Sequence, residues 1–245
     1  MNKSGFLTLL LCMLATLIPV AAFSEESKSK DVTVEMKTTE GTVTLLLYGD
    51  TPRHLENFVK LAREGYYDGL LFHRVINSFM VQAGDPNSRN ATPGQHLGDG
   101  SPDYKIDAEI VYPRHYHKRG ALAAAREGDE VNPRRQSSGS QFYIVTGHRY
   151  TPVELDRLEM KVMRAQREAQ ANKTAPADVP LGFTPGQIDT YTTKGGAAHL
   201  DAQYTVFGEV VGGMDVIDRI EKAETDPNNR PVNDIRILSV KVIDD

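Results

Sequence analysis

The chain has 245 residues, 40% of them hydrophobic and 25% charged, and carries a formal net charge of −5. That length suits one domain with additions or two small domains. The negative balance leaves no electrostatic footprint for nucleic acid or for an anionic membrane surface.

Lys3 supplies a positive start, Phe6 to Val20 an apolar run, and Val20-Ala21-Ala22 a small-residue end. This is the pattern of a secretory signal peptide over residues 1–22, short for a membrane span, with an uncleaved anchor as the rival reading. Cys12 follows Leu11 inside the run, where a lipidation site would need a small residue before it. Cleavage after Ala22 would remove the only cysteine, leaving no disulfide, thiol nucleophile or thiolate metal site. Export without disulfides fits a bacterial periplasm, for a domain large enough to be held by its core. Residues 23–31 read as a polar linker, and residues 32–245 as the folded domain.

Val32 to Met36 alternates in polarity, and Thr42 to Tyr48 carries Val43, Leu45 and Leu47, so Glu40-Gly41 between them marks a β-hairpin. Asp50-Thr51-Pro52 opens a helix with Leu55, Phe58, Val59 and Ala62 at helical spacing. A hairpin followed by a helix argues for an antiparallel sheet with few helices. The stretch from Tyr67 to Gly84 then places Arg74 and Gln82 among Leu71, Phe72, Val75, Ile76, Phe79, Met80 and Val81. A charge in such company is either a satisfied core ion pair or a working group. Asp85 to Asp103 is rich in Gly, Pro, Asn and Asp and reads as a long surface loop, of the kind that carries function or disorder. Tyr104 to Val111 resumes strand-like content. Thr151, Pro152 and Glu154 form a capping box for a helix running to Ala171, and Thr184-Pro185-Gly186-Gln187 begins another short one.

Three ordered blocks carry a resemblance. Tyr67, Phe72-His73-Arg74, Phe79-Met80, Gln82 and Ala83-Gly84 form the first, Ser137 to Ile144 the second, and Thr205 to Val211 with Gly213 to Ile217 the third. Together they resemble the signature of the cyclophilin family of peptidyl-prolyl cis-trans isomerases. The resemblance implies a mainly β protein, a closed antiparallel β-barrel capped by helices. Residues 149–196 exceed the connection found in compact members and read as a helical insertion within the domain.

Carried over by position, Arg74 matches the catalytic arginine of the family, and Gln82 the glutamine that braces it and contacts substrate. Phe79, Met80, Tyr143, Leu200 and Tyr204 match the walls of the pocket for the proline ring. Arg126 stands where an asparagine is common and offers its backbone to the peptide, while Ala125 and Gln141 complete the adjoining groove. Tyr143 replaces a frequent phenylalanine and Tyr204 a frequent histidine. His199 stands where eukaryotic members often have tryptophan. The resemblance implies proline-containing client segments as partners, no cofactor, no nucleic acid, no membrane span after signal removal, and a monomer. The alternative is a binding or chaperone module on the same fold, with incidental isomerase activity.

Other readings of these residues compete. Taken singly, Phe79, Met80 and Phe142 are ordinary core residues. His115 and His117 have a spacing that could hold a metal on a strand, but beside Arg114, Lys118 and Arg119 they read as a solvated turn. Ser137, Ser138 and Ser140 form no nucleophile elbow.

Overall fold

The computed structural model describes residues 29–173 and 181–243, so the expected signal segment and most of the linker lie outside the described residues. In chain order the elements begin with β1 (Val32–Thr38), β2 (Gly41–Leu47), α1 (Pro52–Arg63), β3 (Arg74–Ile76) and β4 (Met80–Ala83). They continue with β5 (Lys105–Ile106), β6 (Ala121–Ala124), β7 (Ser137–Ser138), β8 (Phe142–Val145), α2 (Pro152–Ala171) and α3 (Pro185–Thr193). The last are β9 (Val206–Gly212), α4 (Met214–Glu221) and β10 (Ile237–Ile243). Among the described residues no helix is long and apolar enough to cross a membrane.

Eight strands form one antiparallel sheet in the order β10-β1-β2-β9-β6-β8-β4-β3, and β5 pairs with β7 alone. The sheet is a curled half-barrel and not the closed barrel expected. Its edges, β3 and β10, share no ladder; they are linked by the bridge Leu71–Arg236 and by single bonds such as Phe72 N–H to Ile235 C=O at 2.9 Å. β3 has only three residues, and the chain before it bonds to Ile235 and to Ile237, the first residue of β10.

Period-two alternation divides the side chains of the sheet between two environments. One face buries Val34, Met36, Val43, Leu45, Phe142 and Ile144 with Phe58 and Leu61 of α1 and Val216, Ile217 and Ile220 of α4. Phe58 lies 4.8 Å from Tyr67 and 5.5 Å from Phe142, centroid to centroid, which fixes α1 against the sheet. The other face gathers Met80, Ala121, Ala123, Tyr143, Val145 and Val206, with Phe79, Leu200 and Tyr204 packed against them.

Thr51 opens α1 without a side-chain cap bond; instead the Glu109 carboxylate accepts from the N–H groups of Arg53 at 3.1 Å and His54 at 3.0 Å. The run from Tyr104 to Val111 holds only the two-residue β5. Glu109 N–H bonds the Thr205 hydroxyl at 2.9 Å, and Ala108 and Ile110 pack against α2. Both α2 and α3 carry the capping box their sequences call for. The expected solvated turn at His115 and His117 is corrected. His117 is buried against Asp201, and His115 stacks on Tyr48 at 4.0 Å and bonds Asp50 at 2.7 Å.

Candidate active site

The site begins as a row across four strands. Arg74 pairs with Gln82, Gln82 with Tyr143, and Tyr143 with Ala123, so all four side chains emerge on one face. The β3–β4 hairpin sets Phe79 and Met80 next to them, with Ser78 at its tip in the left-handed region (φ 57°), its N–H held by Glu221 at 2.6 Å.

Arg74, Phe79, Met80, Gln82, Ala125, Arg126, Tyr143, Leu200 and Tyr204 all line one cavity of about 330 Å³. Gln141 lies just behind, in an adjoining groove of about 530 Å³ shared with Gln82, Ala125 and Arg126. A larger depression of about 570 Å³, around Arg119, Arg149 and Lys194, contains none of these residues. His73, a member of the first sequence block, and the segment His96 to Asp99, which residue-by-residue reading missed, also line the first cavity. The only signal for that segment is its place in the Gly- and Pro-rich loop.

Arg74 has no carboxylate partner among the described residues, which decides against a core ion pair. Its Nη1 donates to Gln82 Oε1 at 3.2 Å and lies 3.9 Å from Met80 Sδ. Gln82 Nε2 donates to Gln141 Oε1 at 2.9 Å, and Gln141 Nε2 donates to the carbonyls of Gly98 at 2.7 Å and Gly100 at 2.6 Å. The Asp85 carboxylate ties the same loop by accepting from the N–H groups of Asn87 and Gly98. Partial burial pulls the Arg74 guanidinium below its ordinary value, an effect that Tyr204 opposes; starting so high, it stays protonated. Burial pushes His73 down to about 4 and His199 down to about 4, so both rings are neutral near pH 7. The His199 ring tilts against Phe79 at 5.3 Å and extends the apolar wall.

A half-buried, unpaired, protonated guanidinium beside a small cavity with an apolar wall suits a reaction without covalent change, in which one atom gains electron density. The family described as cyclophilin type peptidyl-prolyl cis-trans isomerase/CLD matches residues 33–242. The chain belongs to that cyclophilin family. A Staphylococcus aureus (strain COL) protein, provisionally named a peptidyl-prolyl cis-trans isomerase, is 31% identical over 222 residues, 89% of this chain and 95% of that protein. A Streptococcus pyogenes serotype M6 protein, provisionally named a bifunctional phosphatase/peptidyl-prolyl cis-trans isomerase, is 34% identical over 214 residues, 86% of this chain. The match spans 38% of that protein's length. Among solved structures, a Cryptosporidium parvum cyclophilin-type isomerase shares the fold at a TM-score of 0.58 and 21% identity, over 88% of this chain and 99% of that one.

Proposed function

We propose that this cyclophilin accelerates rotation about X-Pro bonds in exported proteins and thereby assists their folding, with Arg74 as the group that lowers the barrier. The planar amide resists rotation by about 18–20 kcal/mol, and the uncatalysed exchange takes roughly tens to hundreds of seconds. At the top of the barrier the nitrogen is pyramidal and holds a lone pair. A fixed donor that meets the lone pair there, and finds less to bond in either planar form, binds the transition state selectively. About 6 kcal/mol of such help is worth between four and five powers of ten in rate. In this reading Phe79, Met80, Tyr143, Leu200 and Tyr204 receive the proline ring. Gln82 holds the guanidinium and contacts the peptide, the Arg126 main chain bonds the peptide, and Ala125 and Gln141 border the neighbouring residue.

The observation that carries this reading is the unpaired Arg74 guanidinium, held by Gln82 at 3.2 Å on the wall of the cavity. The test is the cis-to-trans rate of a short Ala-Pro peptide with the wild type and with Arg74→Ala. The expected loss is about a hundredfold to a thousandfold, the usual cost of removing one transition-state donor. Slow exchange in the wild type, or full activity in the variant, would sink the assignment and bring forward the binding-module alternative.

Export rests on the Lys3-led apolar run and on the absence of any cysteine after Cys12. The proposal places signal cleavage after Ala22, a linker to residue 31, the periplasm as destination, and residues 149–196 as an insertion in a monomeric domain. A mature chain from bacterial cells that retains Met1, or that stays in the cytoplasmic fraction, would contradict it.

A further inference from the structure

Two lines of polar contacts run from the helices between β8 and β9 to the walls of the cavity. The first starts at Tyr191 of α3, whose buried hydroxyl donates to Asp201 Oδ2 at 2.6 Å. The other oxygen of Asp201 accepts from His117 N–H and from His117 Nδ1, each at 2.9 Å. A carboxylate only accepts, so Nδ1 carries the proton at that contact. The opposite ring nitrogen, Nε2, lies 2.9 Å from the hydroxyl of Tyr143, whose ring forms a wall of the cavity. All four residues are buried.

The second line starts at Glu168 of α2, which pairs with Arg135 at 2.7 Å. Arg135 also donates to the carbonyls of Ala165 at 3.3 Å and Ala202 at 3.2 Å, and pairs with Asp129 at 3.2 Å. Asp129 pairs with Arg126 at 2.6 Å, and the Arg126 guanidinium stacks 4.4 Å above the ring of Tyr204, another cavity wall. The apolar faces of the helices point the same way. Val162, Ala165 and Ala169 pack with Ala202, and Leu155 and Tyr191 with Ala198, on either side of Leu200.

A buried carboxylate is costly unless its lone pairs are used, and Asp201 has three donors converging on it. Such a network has one satisfied arrangement and passes on a displacement of any member. We propose that the α2–α3 segment positions the Tyr143 and Tyr204 walls of the proline pocket, with Tyr191, Asp201, Glu168 and Arg135 as positioning residues. This deepens the isomerase reading and rests on it. The segment thus acts on turnover from behind the pocket and is no separable docking module.

The test is a double-mutant cycle in the full chain: Tyr191→Phe, Tyr143→Phe and both together. It is read as kcat and KM for an Ala-Pro peptide, as the Kd of that peptide, and as Tm. Tyr191→Phe is expected to lower kcat/KM about threefold to tenfold, mostly through KM, and to have almost no further effect where Tyr143 is already Phe. Equal losses in both backgrounds, or a lowered Tm with unchanged kcat/KM and Kd, would overturn the proposal. If Tyr191→Phe does not fold, Glu168→Ala at its half-exposed position gives a second cycle against Arg126→Ala, with the same coupling expected. A wild type without turnover refutes the isomerase reading alone. The coupling is then read on peptide Kd, where its presence upholds the positioning role and its absence ends it.

Discussion

Replacing Gln141 by alanine cuts the amide relay at its middle. Three hydrogen bonds go with the side chain: those to the carbonyls of Gly98 and Gly100, and the one from Gln82 Nε2. At about 1 kcal/mol net for each the ceiling is about 3 kcal/mol, and water entering from the adjoining groove recovers part of it, leaving about 2 kcal/mol. For a domain of this size that lowers Tm by roughly 4–8 °C. The consequence for turnover is separate. With Gln141 present, Gln82 has both amide ends engaged, and only one orientation turns its oxygen to Arg74. Without it the amide is free to flip and present its NH₂ group to the guanidinium, which has no use for a second donor. Losing the alignment of one charged hydrogen bond costs about 1.4 kcal/mol, or tenfold in kcat/KM. The assay is Ala-Pro peptide isomerisation beside a thermal melt. A variant that melts lower but turns over within about twofold of wild type would show that Arg74 needs no brace, and would refute the relay.

Two further outcomes follow from features away from the relay. Burial holds His73 down to about 4, against about 6.5 in the unfolded chain, so the unfolded state binds more protons between those values. Stability is then fully present above pH 6.5 and falls as the pH drops, by about 3 kcal/mol at pH 4 for His73 alone; denaturant midpoints that stay flat over that window would contradict the burial argument. Gly147 has φ 58°, and a Cβ there would stand 2.2 Å from the carbonyl oxygen of Gly196. Gly147→Ala is expected to cost about 2–4 kcal/mol in urea unfolding, because the obstacle is backbone; a wild-type midpoint would contradict the close approach.

How much of this was legible in the sequence depends on the distance over which each feature is decided. The capping box at Thr151 and the helix start at Thr184 are settled within four residues and read directly. Arg74, Phe79, Met80 and Gln82 share one short hairpin, so their grouping is nearly local. The reach of the site to Tyr143, Leu200 and Tyr204 came only with the resemblance, because no local period brings β8 and the turn before β9 to one face. His117 misled because its neighbours Arg114, Lys118 and Arg119 are charged, whereas its burial is decided by Asp201, far along the chain. Closure of the sheet was beyond local reading too. Alternation shows that a strand has two faces, not whether the first and last strands meet. The strand-like run from Tyr104 to Val111 failed for the opposite reason: its composition suited a ladder, but beyond β5 the Glu109 N–H goes to the Thr205 hydroxyl, and Ala108 and Ile110 pack against α2.

The position of β1 in the sheet has a consequence for the order in which the molecule can assemble. β1 lies between β2, its neighbour in sequence, and β10, which arrives after every other strand. A chain that emerges with its N-terminus first therefore completes the hairpin early and holds one flank of β1 unpaired until nearly everything else has followed. That flank is an exposed edge of the kind to which foreign strands add. A cyclophilin of this design leaves that edge open during its own synthesis, and β10 is the strand that closes it.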